Sequence, residues 1–239
     1  MTIDSIIQSL EKIAPLPLQE DYDNAGLLVG ESNAECSGVL LSLDVTEDVI
    51  DDALQNGCNL IVAHHPIIFR GLKKINGKNY VEKTIIKAIK NDIAIYAIHT
   101  NLDNVSDGVN ARMASVLGLN NCRILSPKKG ILQKLAVYIP LEDKEQMMQA
   151  LFDAGAGEIG HYSECSFASE GTGTFKPGLN ANPYSGEKGI RHAGGEYKLE
   201  VIFPKWLQSR VLQAMRSAHK YEEIAFDLID LSNTLQITG

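Results

Sequence analysis

The 239-residue sequence has little of what several classes of protein require. It has only 22 Lys and Arg against 30 Asp and Glu, with no run of basic residues longer than a pair. This argues against nucleic acid as a partner, because phosphate contacts need concentrated positive charge. Its four cysteines are widely spaced and form no C-x-x-C pair, so neither a disulfide framework nor an oxidising compartment is expected.

Long apolar runs are also missing. No segment approaches the roughly 18 residues of a membrane-spanning helix, and the first ten residues lack the basic start and apolar core of a signal peptide. These absences predict a cytoplasmic protein without a membrane partner. Phosphate-binding motifs of the G-x-x-x-x-G-K-[ST] and G-x-G-x-x-G types do not occur either.

From residue 4 to about 125, helical patterns alternate with short, β-branched apolar runs, which is typical of a layered α/β domain with a parallel sheet. Helices are expected over 5–13 and 81–89 and after Thr46 and Ser106, which are the predicted N-caps. The predicted strands are 39–43, which reads as buried, 58–63, 93–98 and 122–125.

The pattern changes near residues 127–130, which predicts a boundary between a first part, 1–126, and a second, 130–233. The second part has the order β-α-β-β-α-β, the split pattern of a ferredoxin-like α+β sandwich. A polar, Gly- and Pro-rich stretch, 171–195, is expected to form the long loop between its two halves.

Two adjacent histidines, His64 and His65, follow the strand at 58–63. Neighbouring residues of an extended chain point to opposite sides, so each histidine could hold one member of a metal pair roughly 3.5–4 Å apart. The simpler alternative is that one ring packs and the other is solvated.

The next strand ends at His99, followed by Asp103. Parallel neighbours bring their carboxyl ends together, so these residues are expected beside the histidine pair. Asp103 could bind a cation or serve as a turn residue, and His99 could carry protons, orient a ligand or simply complete the strand end. Asp44 could line the same mouth, although a structural turn role is favoured, and Asp21 and Asp23 are expected in a surface loop.

Four motifs occur in one order: DYDNAGLLVG (21–30), SLDVT (42–46), NLIVAHHPIIF (59–69) and IHTNLD (98–103). In the presence and order of these four motifs, the sequence resembles the Nif-three-like dinuclear metal-centre proteins, also called GTP cyclohydrolase 1 type 2 homologues. The second part resembles the PII-like insert of the longer bacterial members, through GEIGHYSECSF (157–167), GTGTFKPG (171–178) and YEEIAFD (221–227).

The resemblance implies that His64 and His65 bind different divalent ions and that Asp103 is a further metal ligand. It implies two divalent cations per complete subunit and a ring-like homo-oligomer such as a hexamer. Sites of His and Asp accept Zn, Mn, Fe or Co, so the sequence does not name the metal. A metal-activated water would hydrolyse a small molecule, nominally by opening the purine ring of GTP, and His99 is the first candidate for moving protons.

The resemblance also implies a further His and Glu, four residues apart, from a segment after the insert, and that segment is expected to be missing here. Gly160 to Glu164 looks superficially similar, but we reject His161 as a ligand because the spacing is wrong. Two alternatives to a hydrolase stay open. One is a metal-binding regulatory or scaffold protein that senses a ligand through the insert. The other is a fragment whose metal site cannot close.

Overall fold

The computed structural model describes residues 1–235, which form two compact units, one up to Leu125 and one from Ser126 onward. We call them the N-terminal and the C-terminal unit and describe each by itself. No helix in the described range is long and apolar enough to cross a membrane.

The N-terminal unit contains one four-stranded sheet in the order β1-β4-β3-β2. Strands β2, β3 and β4 are parallel, and β1 pairs antiparallel with β4. The elements are α1 (Ile3–Ile13), β1 (Gly26–Val29), β2 (Val39–Ser42), α2 (Glu47–Gln55), β3 (Leu60–Ala63), α3 (Tyr80–Lys90), β4 (Ala94–Ala97), α4 (Thr100–Asp103) and α5 (Val109–Val116).

Helices cover both faces of this sheet. Its central strands β3 and β4 are therefore buried at every residue. Helix α1 packs against side chains that include Leu60, Val62 and Tyr96, while α2 and α3 pack against those that include Ile61 and Ile95. Alternation along each strand therefore supplies two separate apolar cores, and the predicted layered α/β fold is confirmed.

Local capping explains where the helices begin. Thr46 accepts a hydrogen bond from the amide of Val49 and caps α2 as predicted. Helix α1 begins before Ser5 because Thr2 caps it, and α5 follows Gly108 rather than Ser106.

Two strand predictions were wrong. Residues 122–125 form no strand, and Leu125 is 96% exposed, so this segment has no apolar surface to pack on. Strand β2 is not buried but lies at the sheet edge, where Leu41 is 76% exposed because only one face is covered.

The C-terminal unit is an antiparallel four-stranded sheet in the order β6-β7-β5-β8, with its helices packed on one apolar face. This order confirms the predicted ferredoxin-like class. The elements are β5 (Leu132–Pro140), α6 (Lys144–Asp153), β6 (Ser166–Phe175), β7 (His192–Pro204), α7 (Gln208–Ala218) and β8 (Phe226–Leu231).

The predicted loop 171–195 was too long. Strand β6 continues to Phe175 and β7 begins at His192, so the connecting loop covers only 176–191. Gly173 lies opposite Gly194 in this extension. Glycine weakens strands in general, which is why the pattern favoured a loop.

Helix α3 gives a test of stability. Glu82 and Asn79 form a reciprocal cap, and the amides of Asn76 and Lys78 also donate to the Glu82 carboxylate. These hydrogen bonds lower the pKa of Glu82 from its usual 4.5. A lowered pKa in the folded state stabilises the protein above pH 4.5, and this contribution is lost as the pH falls through the folded pKa.

We therefore expect Glu82→Gln to lower the urea midpoint at neutral pH, and the difference from the unmodified chain to shrink steadily in acid. Urea unfolding followed by circular dichroism between pH 3 and 7 would measure it. The exposed Glu31→Gln is the control. A difference that stays constant over this pH range would contradict the prediction.

Candidate metal centre

Two neighbouring strand ends supply the histidines of the N-terminal unit. His64 and His65 directly follow β3, and one residue, Ile98, separates His99 from the end of β4. Ala63 lies opposite Ala97 in the parallel pair, so the two strands end side by side. The chain continues as the single turn α4, which carries Asp103 at its end.

The three imidazole rings converge. The ring centroids of His64 and His65 are 5.1 Å apart, and that of His99 lies 5.1 Å from the first and 5.6 Å from the second. One ring nitrogen from each residue lies within 4.8 Å of the others. The arrangement could hold a metal ion.

Each ring has its Nδ1 atom hydrogen-bonded to an oxygen that can only accept. His64 Nδ1 is 2.9 Å from the Ile98 carbonyl oxygen, His65 Nδ1 is 2.8 Å from Asp44 Oδ1, and His99 Nδ1 is 2.8 Å from Asp23 Oδ1. Nδ1 therefore carries the hydrogen in all three rings. This tautomer leaves the Nε2 lone pair available to a metal, as in most histidine metal ligands.

Asp23 is the most constrained of these acceptors, because its side chain is fully buried. Its second oxygen accepts hydrogen bonds from the backbone amide, at 3.0 Å, and the hydroxyl of Thr100. Burial by itself would raise the pKa of Asp23, but the hydrogen bonds from Thr100, His99 and Asn24 outweigh it and lower that pKa. The carboxylate is therefore ionised when it holds His99.

Asp103 lies at the edge of the histidine group. Its Oδ1 is 4.0 Å from Nε2 of His64, and its side chain is 34% exposed. A carboxylate oxygen at this place is suited to share an ion with His64. Three imidazoles and one carboxylate form a donor set that accepts Zn, Mn, Fe or Co.

The sequence predicts that His64, His65, His99 and Asp103 lie together at the carboxyl ends of two neighbouring strands. The structure brings these four residues together. His161 lies in the C-terminal unit, where it is exposed. Asp23 was expected in a surface loop and Asp44 mainly in a structural turn, but each of them hydrogen-bonds a histidine ring. Both belong to motifs that also supported the family resemblance, which was the available signal.

The sequence is similar to known proteins of one family. A family model described as Duf34/NIF3 (NGG1p interacting factor 3) matches residues 1–198. A Bacillus subtilis protein named GTP cyclohydrolase 1 type 2 homolog is 44% identical over 230 residues, which are 96% of this chain and 62% of that protein. A Halalkalibacterium halodurans protein of the same name is 44% identical over 236 residues, covering 98% of this chain and 63% of that one.

Solved structures agree. The crystal structure of a Bacillus cereus protein related to NIF3 matches the whole chain with a TM-score of 0.85 and 44% identity, over 64% of its own length. Staphylococcus aureus protein SA1388 matches with a TM-score of 0.68 and 32% identity, over 62% of its length. The chain thus spans less than two thirds of each of these relatives. With its motifs, fold and relatives in agreement, the chain belongs to the Duf34/NIF3 family.

Proposed function

We propose that this chain binds divalent metal ions through His64, His65, His99 and Asp103, and that the centre supports hydrolysis of a small-molecule substrate. One observation carries the proposal: three imidazoles converge, and each has its Nδ1 atom held by an acceptor. A ring that merely completed a strand end would not need this shared orientation.

The residues around the centre have separate tasks in this proposal. Asp23 and Asp44 orient His99 and His65, so that two of the donors are backed by carboxylates. Asp103 adds an oxygen donor beside His64. When bound, divalent ions would lower the pKa of a coordinated water toward neutrality and polarise a substrate oxygen.

The sequence predicts proton transfer for His99. Its place among the three convergent rings favours metal binding instead, and we propose that role. Substitution distinguishes the two roles. Replacing a proton carrier leaves the metal affinity unchanged, whereas replacing a metal ligand lowers it.

A purine nucleotide is the substrate class we propose, because the relatives are named GTP cyclohydrolase 1 type 2 homologs. The aromatic ring of Phe69 supports this, since it lies 6.5 Å from His99, centroid to centroid, and is 45% exposed. Tyr22 lies 6.5 Å from Phe69 and is 66% exposed. Exposed aromatic rings beside a metal centre are suited to stack on a planar base.

A second candidate function is regulation without turnover. The observation that favours it is a cavity in the C-terminal unit, closed by the 176–191 loop, which could receive a ligand of its own. Two ions per subunit and a ring-like homo-oligomer also belong to the proposal. Metal analysis and sedimentation of the loaded protein would test them.

Metal affinity tests the ligand set. We expect His64→Ala, His65→Ala and His99→Gln each to weaken Zn²⁺ and Mn²⁺ binding by more than about tenfold, because each change removes a donor. Isothermal titration calorimetry and elemental analysis give affinity and stoichiometry. His161→Ala is the control. Unchanged affinity in His99→Gln, with turnover lost, would instead assign His99 to proton transfer.

The orienting carboxylates should differ in importance. We expect Asp23→Asn to weaken metal binding by about tenfold to a hundredfold, and Asp44→Asn to have a smaller effect because the Asp44 side chain is 65% exposed. Melting of the metal-free variants must be measured in parallel. Asp21→Asn is the matched control from the same loop. Equal effects of Asp21→Asn and Asp23→Asn would contradict the assignment.

Turnover separates enzyme from regulator. We expect metal-loaded protein to consume GTP, and His64→Ala and EDTA each to abolish the activity. Product formation followed by chromatography is the measurement. Metal binding without turnover would favour the regulatory function, and turnover insensitive to His64→Ala would mean that another site is responsible.

A further inference from the structure

The C-terminal unit contains a cavity of about 370 Å³ whose walls all belong to that unit. The 176–191 loop closes one side, the end of the β6–β7 hairpin forms another, and residues 221–225 form the third. The loop is tied in place, because the amide of Asn182 donates to Glu222 at 2.8 Å and the amide of Gly189 donates to the Pro177 carbonyl at 2.8 Å.

Aromatic rings line the cavity. The centroid of Tyr221 lies 6.2 Å from that of Phe175 and 6.0 Å from that of Tyr184, and all three rings are tilted rather than stacked. His192 packs on Phe175 with centroids 5.1 Å apart. Because the lining rings of Phe175, Tyr184 and Tyr221 are tilted against one another, their faces point in different directions, and we call this group of three rings the cage.

The cavity is acidic. Its lining residues carry the carboxylates of Glu196, Glu222 and Glu223 and the ammonium group of Lys176. The nearby ammonium group of Lys220 is paired with Asp143. Tyr221 donates its hydroxyl to Glu196 at 3.1 Å, and the burial of Tyr221, together with this carboxylate, raises the pKa of its hydroxyl to about 12. Tyr221 stays neutral, so the negative charge at this wall belongs to Glu196.

Strand β6 is shaped around that carboxylate. A Cβ atom at Gly173 would lie 1.8 Å from Oε2 of Glu196, so a larger residue would displace the carboxylate. Gly173 therefore leaves room beside the strand for the Glu196 carboxylate in its present position.

One ring of the cage already contacts an ammonium group of the protein. Lys220 Nζ lies 5.5 Å from the centroid of Tyr184, and the same nitrogen donates to Asp143 Oδ1 at 2.5 Å. This distance lies within the range of about 6 Å over which an ammonium group is attracted to an aromatic ring, and here a carboxylate neutralises the ammonium charge. The cavity repeats this combination, with Glu196 and the rings of Phe175, Tyr184 and Tyr221.

We propose that this cavity binds a small organic cation, an amine or quaternary ammonium compound with an apolar body. An anion would meet three carboxylates, and a neutral apolar ligand would remove water from the Glu196 carboxylate without supplying a positive charge. The volume is near the lower end of ligand pockets, which suits a small molecule. The site is independent of the metal centre and of the hydrolase proposal.

The test uses the full chain with choline, tetramethylammonium and 3,3-dimethylbutan-1-ol, the neutral carbon analogue of choline. Ligand-observed NMR titration measures the affinities. We expect saturable binding of both cations and at least about tenfold weaker binding of the alcohol. Equal binding of choline and the alcohol, or no saturable binding of either cation up to tens of millimolar, would overturn the proposal.

Variants assign the binding to this cavity. Glu196→Gln and Tyr184→Leu should each weaken choline binding by about tenfold, whereas the exposed Glu170→Gln and Tyr162→Leu should leave it unchanged. Tyr184 is 52% exposed, so its replacement preserves the fold, which circular dichroism checks. His64→Ala should bind choline normally. Unchanged affinity in both cavity variants would place the cation elsewhere and refute the assignment.

Discussion

Parallel pairing of β3 with β4 is the interaction on which the candidate metal centre depends. Ala63 and Ala97 lie opposite each other, and both strands are buried on both faces. A slip of one residue would turn the apolar side chains of a strand toward the wrong core, so the register is strongly specified. Two hydrophobic cores thereby set the separation of His64 and His99, although neither histidine belongs to them.

Much of the site could be predicted from the sequence, because strand ends are local features. The apolar run before His64 and the one before His99 are each visible in a few residues, and parallel strands bring such ends together. The partners of the rings were not predictable in this way. Asp23 reaches His99 across 76 positions and Asp44 reaches His65 across 21, so each looks locally like an ordinary turn residue.

Some elements of the fold could likewise be predicted from the sequence, and others could not. Periodicity predicted the helices and the ferredoxin-like order, since both depend on apolar spacing. It missed the continuation of β6 and β7, where Gly173 and Gly194 pair through the backbone alone. It also treated β2 as buried, because an apolar run by itself does not reveal that a strand lies at the sheet edge with one face uncovered.

The acceptors that hold the rings also set the electrostatic balance of the centre. With neutral imidazoles, Asp23, Asp44 and Asp103 give the group a formal charge of three negatives. One divalent ion would leave a single negative charge, and two would leave a single positive charge. Either occupancy stays within one unit of electroneutrality, and the second would attract an anionic substrate or a hydroxide ion. The buried carboxylate of Asp23 thus supplies one of these three charges, as well as fixing the direction of the His99 ring.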